Sequence, residues 1–473
     1  MTQATDPVAT GLAQWAATLR LEQVPPAVLA RAKDLMLDAL GCGLAARGQD
    51  FAARYAAAVW AMPGRGEGGR GVIGFDQRLP LREAAMLNGV LCHGLDFDDT
   101  HMAGIAHLSV SVLPAMLGLG AEQSRSGAEL LAAYVVGLEC GARIASAFQG
   151  GLTAQGFHPS AVVGTFACAM AAGRLQGLDA PQLVAAQGIA LSLASGSLEF
   201  LSEGAWTKRL HPGWAAQSGI TAAHFAAHGI PAPTAPYTGR FGLFHSFLDE
   251  AQRRQLDAGI PLRHVERLDD PVHWELMHIA VKPYPMCHFV HAAVEAAEQV
   301  HRLGIAPADI ARVRVDVPAG VVPSVCEPEA AKRRPSTDYE AKFSIPYAVA
   351  SGLMRGRLGL KELEPEAYTA PEVRALMARV DYAVDPTADF PRYYGGAIAV
   401  ELRNGETLHR RVPINPGHPE RPLQSAQVAR KFFDNAGVHF APALAERVQT
   451  CVQSLETLPD VRALESLLAV APG

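Results

Sequence analysis

Apolar residues recur at helical spacing through the first ~265 positions. After Pro25 and Pro26, residues Val28, Leu29, Ala32, Leu35, Met36, Ala39 and Leu40 predict a helix that ends near Gly41. Further helices are predicted over Ala84–Cys92, Leu108–Gly118, Leu183–Ala194 and Trp214–His228. Ser126 with Glu129 forms a capping box ahead of Leu130–Phe148, and Asp179 with Gln182 resembles another. Period-2 alternation is largely absent here. Two stretches without charged residues, Ile144–Gly173 and Ala180–Leu198, are interrupted by Gln, Ser, Gly or Pro, so they read as buried helical segments rather than membrane spans.

The pattern changes after about Pro271. Val313, Val315 and Val317 alternate with Arg312, Arg314 and Asp316, which predicts a half-buried strand. Ile398, Val400 and Leu402 do the same, and Asn404-Gly405 turns the chain back through Leu408 to Val412. Thr337 and Glu340 suggest a cap for a helix from Phe343 to Leu353, with Pro346 straining its first turns. Helices return at Ser425–Asn435 and Pro442–Leu455. The expected organisation is a mainly α protein: residues 1–271 as a large all-helical domain, 272–415 as a smaller α+β domain, and 416–473 as helices that return to the first.

Composition narrows the function classes. The 41 Lys+Arg and 47 Asp+Glu residues leave a net charge of −6, which argues against nucleic acid as a main partner. Among the basic residues only 7 are Lys, so Arg is the default cation and each Lys draws attention. The 7 Cys are scattered without a C-x-x-C pair, which excludes an iron–sulfur cluster and fits free thiols in a reducing cytoplasm. The N-terminal stretch has no basic segment followed by an apolar one, so no secretory signal is expected. Gly64–Gly69 matches G-x-G-x-x-G by letter, but it follows a helical pattern and opens no helix, so nucleotide binding gains no support.

The densest polar cluster is His93-Gly94-Leu95-Asp96-Phe97-Asp98-Asp99-Thr100-His101, with three acids and two His in nine residues. It reads either as a metal site or as a loop whose Asp residues cap the next helix and pair with Arg. Its spacing matches no metal signature, and no metal is assigned. His107 and His158 each stand at the mouth of an apolar helix, where free N–H groups suit anion binding or a lowered imidazole pKa. Lys208 precedes another helix, and Lys282 to His291 lies where the helical part gives way to the mixed part. If these mouths converge, they form a cationic pocket suited to a small polycarboxylate and to proton transfer beside it.

Five segments in order carry a family resemblance: His93 to Thr100, Gly156-Phe157-His158-Pro159-Ser160, Lys208-Arg209-Leu210-His211-Pro212-Gly213, Lys282-Pro283-Tyr284-Pro285 and Glu340 to Tyr347. Together they resemble the MmgE/PrpD family, which includes 2-methylcitrate dehydratase, cis-aconitate decarboxylase and iminodisuccinate epimerase. The resemblance implies an all-helical domain built from both chain ends, a smaller α+β lid, a site between them, a homodimer and no cofactor. It implies catalytic roles for Asp96, His107, His158, Lys208 and His291, and substrate contacts from Thr100, His211, Lys282 and His288. Many bacterial members have Cys-Arg where this chain has Cys287-His288, so His288 is the departure and His291 the shared histidine. The implied activity is that of a cytoplasmic lyase on a small di- or tricarboxylate. His107 and His158 would be acid and base, Lys208 a carboxylate partner, Thr100 a substrate hydrogen bond, and Asp96 the orienter of a His or the proton acceptor. An isomerase, or a binding protein on the same scaffold, remains open. No nucleic acid or membrane partner is expected.

Overall fold

The structure, a computed structural model, describes residues 6–62, 69–203, 205–257 and 273–471. The Gly64–Gly69 match lies outside these except for Gly69, as does the composition boundary at Pro271. The chain divides into two compact units, one made of Met1–Ala280 with Gln424–Gly473 and the other of Val281–Leu423.

The first unit is built on helices α1 (Pro7–Thr18), α2 (Pro26–Ala46), α3 (Asp50–Trp60), α4 (Leu81–His93), α5 (Ser109–Glu122), α6 (Gly127–Phe148), α7 (Gly151–Ala154), α8 (Pro159–Gln176), α9 (Ala180–Leu193), α10 (Phe200–Glu203) and α11 (Thr207–Ala227). Both capping boxes form: Ser126 Oγ accepts from the Glu129 N–H, and the Asp179 carboxylate accepts from the Gln182 N–H. The expected stop at Gly41 is corrected. Helix α2 runs on to Ala46, because Gly41 and Gly43 serve packing: a Cβ on Gly41 would lie 3.2 Å from Phe432 Cα, and one on Gly43 3.1 Å from Cys92 Sγ. Helix α11 also starts earlier than its apolar pattern, at Thr207. A Cβ on Gly213 of α11 would run into the Met86 carbonyl of α4, so the two backbones cross in direct contact. Helix α6 is long and apolar enough to cross a membrane by length and composition, and its apolar window is wholly buried within the fold. Of the two charge-free stretches, α8 is almost entirely buried, while α9 buries only one face.

The first unit is not strictly all-helical. Strands β1 (Arg70–Val72) and β2 (Phe75–Leu79) form an antiparallel hairpin through Gly74, whose φ is +74°. Strand β3 (Thr100–His101) pairs with β4 (Ile279–Ala280). These strands are too short to show an alternating pattern, which is why periodicity did not predict them.

The second unit holds a four-stranded sheet of order β6 (Val380–Val384), β5 (Ile310–Val317), β7 (Gly396–Leu402), β8 (Thr407–Val412). The β5–β6 pair is parallel and the others are antiparallel. Strand β5 alternates as predicted, with Val313, Val315 and Val317 in the core. The helices His291–His301 and Ile345–Arg355 contribute Val294, Ala297, Val300, Val349 and Leu353 to that core. The single helix expected behind Thr337 is two. Thr337 caps Asp338–Lys342, and Ser344 caps Ile345–Arg355, so Pro346 occupies a first turn, where its missing N–H costs nothing.

Candidate active site

Helix α4 ends at His93, and the chain turns sharply there, with the Asp96 N–H donating to the His93 carbonyl at 2.9 Å. Asp96 has φ +54°, a left-handed conformation that costs a non-glycine residue about 1–2 kcal/mol. The far end of the turn is tied down by the β3–β4 pairing and by His101. His101 Nε2 lies 3.1 Å from Glu275, and its Nδ1 accepts the Gly104 N–H at 3.2 Å.

Within the first unit the helix mouths at His107, His158 and Lys208 come together. The His107 N–H donates to Ser160 Oγ at 2.9 Å, which ties the approach to α5 onto the first turn of α8, where His158 is the N-cap. The His107 and His158 ring centroids lie 6.2 Å apart. His93 lies 4.8 Å from His107 and 5.9 Å from His158, and His211 lies 5.1 Å from His158. These four imidazoles form one cluster, with the Phe200 ring edge-on to His158 and His211.

Asp98, fully buried, organises one side of the cluster. Its carboxylate accepts from His93 Nδ1 at 2.9 Å, and its Oδ2 lies 3.2 Å from His107 Nδ1. His107 Nδ1 also lies 2.6 Å from the Asp99 carbonyl and 3.3 Å from Thr100 Oγ1. A ring nitrogen facing that carbonyl must carry the proton, so Nε2 of His107 holds the lone pair. The same argument applies to His93, whose buried Nε2 has no hydrogen-bond partner among the described residues. The ligand atoms of His93, Asp98 and His107 lie within 4.8 Å of one another and could surround a divalent ion. The carbonyl contact takes His107 Nδ1 out of such a set, because a protonated nitrogen cannot ligate, and leaves Nε2 as the atom His107 could offer.

Burial pushes the Asp98 carboxyl up, but His93 and His107 outweigh it and hold it well below the usual carboxylate range. The neighbouring Asp99 moves the other way, to about 8, through burial and the nearby Asp98 and Asp38, with Ser109 easing the shift. Burial lowers His93 to about 4 against the pull of Asp98. His158 falls well below the ordinary imidazole value through burial and then Lys208, and His211 falls to about 4 through burial, His93 and Lys208. The sequence places His107 and His158 at helix N-termini, which disfavour a charged imidazole. Desolvation is the larger cause.

Lys208 lies inside the first turn of α11 rather than ahead of it, and its Nζ is 2.9 Å from Asp96 Oδ1. Asp96 therefore pairs with the ammonium, and the carboxylate that orients histidines is Asp98.

Residues 10–256 match the MmgE/PrpD N-terminal domain, and residues 284–457 match the MmgE/PrpD C-terminal domain. The chain belongs to the MmgE/PrpD family. Its relatives include a cis-aconitate decarboxylase-like protein of Aspergillus oryzae, 29% identical over 98% of this chain and 97% of that one. The cis-aconitate decarboxylase of Mus musculus is 28% identical, covering 95% of this chain and 91% of its own. That of Homo sapiens is 29% identical, covering 95% and 92%. The family and these relatives are of the dehydratase or decarboxylase lyase type.

Of the residues that the MmgE/PrpD motifs single out, Asp96, Thr100, His107, His158, Lys208 and His211 gather in the first unit. Lys282, His288 and His291 belong to the second unit. There the His288 and His291 ring centroids lie 4.6 Å apart with their planes tilted by 52°, and His291 Nε2 lies 3.1 Å from the Met286 carbonyl. The site residues that sequence reasoning missed are His93 and Asp98. His93 is the last residue of an apolar helix, and Asp98 follows it by five positions. A polar residue closing the mostly apolar stretch Ala84–Cys92, with an acid five positions beyond it, was the available signal.

Proposed function

We propose that this chain is a cofactor-independent lyase acting on a small di- or tricarboxylate of the methylcitrate or cis-aconitate type. The single observation that carries this reading is the buried set His93, His107, His158 and His211 beside the Lys208 ammonium. Near neutral pH the imidazoles that burial lowers are uncharged, so an empty site holds bases next to one cation. A substrate with two or three carboxylates reverses that balance. Its negative charge favours an imidazolium beside it, so proton and substrate enter together. Lys208 pairs with a carboxylate and stabilises negative charge developing at the adjacent carbon.

In a decarboxylation the C–C bond pair stays on carbon as CO₂ leaves, and an imidazolium then protonates that carbon. In a dehydration a neutral imidazole takes the proton next to a carboxylate, and the hydroxyl leaves as water with a proton from a second imidazole that is protonated when the substrate binds. His107, with its Nε2 lone pair, and His158, hydrogen-bonded to His211 at 3.0 Å between their Nδ1 atoms, are the two candidates for these roles. Several neutral imidazoles also suit removal of a proton from one face and its return to the other, so an epimerase of a small dicarboxylate is the second reading.

The test is to incubate the purified protein in deuterated water with citrate-like and aspartate-like acids. The expected result is loss of CO₂ with deuterium placed on the carbon it leaves, or loss of water together with the proton of the carbon next to a carboxylate. Racemisation without a leaving group would favour the epimerase. Saturable binding with no turnover of any of these acids would mean a binding protein.

A further inference from the structure

Three cations grip the turn that follows His93. Arg209 Nε donates to the Gly94 carbonyl at 3.0 Å, Lys208 holds the Asp96 carboxylate, and Lys431 Nζ donates to the Phe97 carbonyl at 2.6 Å. Lys431 comes from the far end of the chain, on helix Ser425–Ala436, and is buried. Its Nζ also lies 2.6 Å from Asp38 Oδ1 on α2 and 3.8 Å from the centre of the Phe97 ring. One compact ammonium thus serves a carboxylate, a carbonyl and a ring face. A planar guanidinium would not fit this arrangement, which accounts for a Lys here in a chain with only 7 of them.

The Phe97 carbonyl belongs to the peptide that leads into Asp98. On the other side stands Asp96, whose left-handed backbone needs its surroundings to hold it. Fixing that carbonyl therefore fixes the start of the residue whose carboxylate faces both His93 and His107. Stability alone is a weak reason for a buried ion pair, since such pairs are often replaced by neutral groups at little cost. We propose that Lys431, with its counter-ion Asp38, is a positioning residue of the histidine site: it holds the Phe97 carbonyl, and through it the Asp98 carboxylate, in the pose that orients His93 and His107. This rests on the reading of that cluster as the reacting site.

The test compares the full-length wild type with Lys431→Met and with the double variant Asp38→Asn/Lys431→Met. The single variant leaves Asp38 buried without its cation and is expected to fold poorly. The double variant removes both charges and is expected to fold. On the acid that the wild type converts, the double variant should lose kcat by about 10- to 100-fold with KM changed less than about threefold, as for a misplaced but intact site. Nitrogen-15 spectra should show His93 losing its fixed Nδ1–H form, while His107 stays held by the Asp99 carbonyl, a signature that a merely structural pair would not move. A folded double variant with wild-type kcat and unchanged imidazole signals overturns the proposal. If the wild type converts none of the acids, the functional reading fails, and the imidazole signals still decide whether Lys431 positions the cluster.

Discussion

Replacing Asp98 by Asn is the most informative single change. The wild-type carboxylate places Oδ1 3.1 Å and Oδ2 2.9 Å from His93 Nδ1, and Oδ2 also faces His107 Nδ1 at 3.2 Å. With its oxygen in the Oδ2 place the amide can still accept from His93 Nδ1, but without charge, and its NH₂ then crowds the same nitrogen from the Oδ1 place. His107 keeps its tautomer, because the Asp99 carbonyl still accepts from its Nδ1 at 2.6 Å. A charge-assisted hydrogen bond is worth roughly 1 kcal/mol more than a neutral one, so two imidazoles lose about 2 kcal/mol of stability at neutral pH. Turnover should fall on the order of 10²- to 10⁴-fold, the range for losing a correctly set acid or base. The acid limb follows by linkage. Asp98 is held ionised below the usual carboxylate range, so its contribution is full above ~4 and is lost as pH falls through its folded value. The variant should lack that part of the acid destabilisation. Thermal melts at several pH values, nitrogen-15 histidine spectra and initial rates measure all three. Wild-type melting and turnover would refute the reasoning.

Other outcomes follow from the same geometry. Lys208→Ala should lower kcat/KM by at least ~10²-fold while the protein stays folded, because a charge-assisted partner of substrate and of Asp96 is gone; near-normal turnover would remove Lys208 from the site. His107→Gln and His158→Gln should each abolish most turnover, and the double variant should be barely worse than the worse single, whereas fully additive losses would mean that the two rings do not serve one substrate. Burial holds His93 and His211 at about 4 in the fold, while unfolded imidazole titrates near ~6.5. The unfolded chain therefore binds more protons in that window, and unfolding scans should show stability falling as pH drops from about 6.5 towards 4. Gly213→Ala should destabilise by roughly 1–3 kcal/mol, read from melts, because its Cβ meets the Met86 backbone.

Local pattern determined a great deal here. The capping boxes at Ser126 and Asp179, the alternating β5 and the Asn404-Gly405 hairpin are written in neighbouring residues, and each forms as predicted. The candidate residues Asp96, Thr100, His107, His158, Lys208 and His211 were also legible, because polar groups at the mouths of apolar helices stand out along the chain. Their partners were not. That Asp98 rather than Asp96 holds the imidazoles depends on a left-handed turn at Asp96, and three acids in a row of four positions give no sign of which one points inward. That Gly41 and Gly213 mark helix crossings rather than helix ends depends on Phe432 and Met86, residues distant in sequence. Lys431 reaches the Phe97 carbonyl across 334 positions, a pairing that no local pattern contains. Short-range hydrogen bonds and periodicity choose the elements. Which faces of those elements meet is decided only when the core closes, and closing the core also strips the water that helps an imidazole carry charge, which lowers His93, His158 and His211.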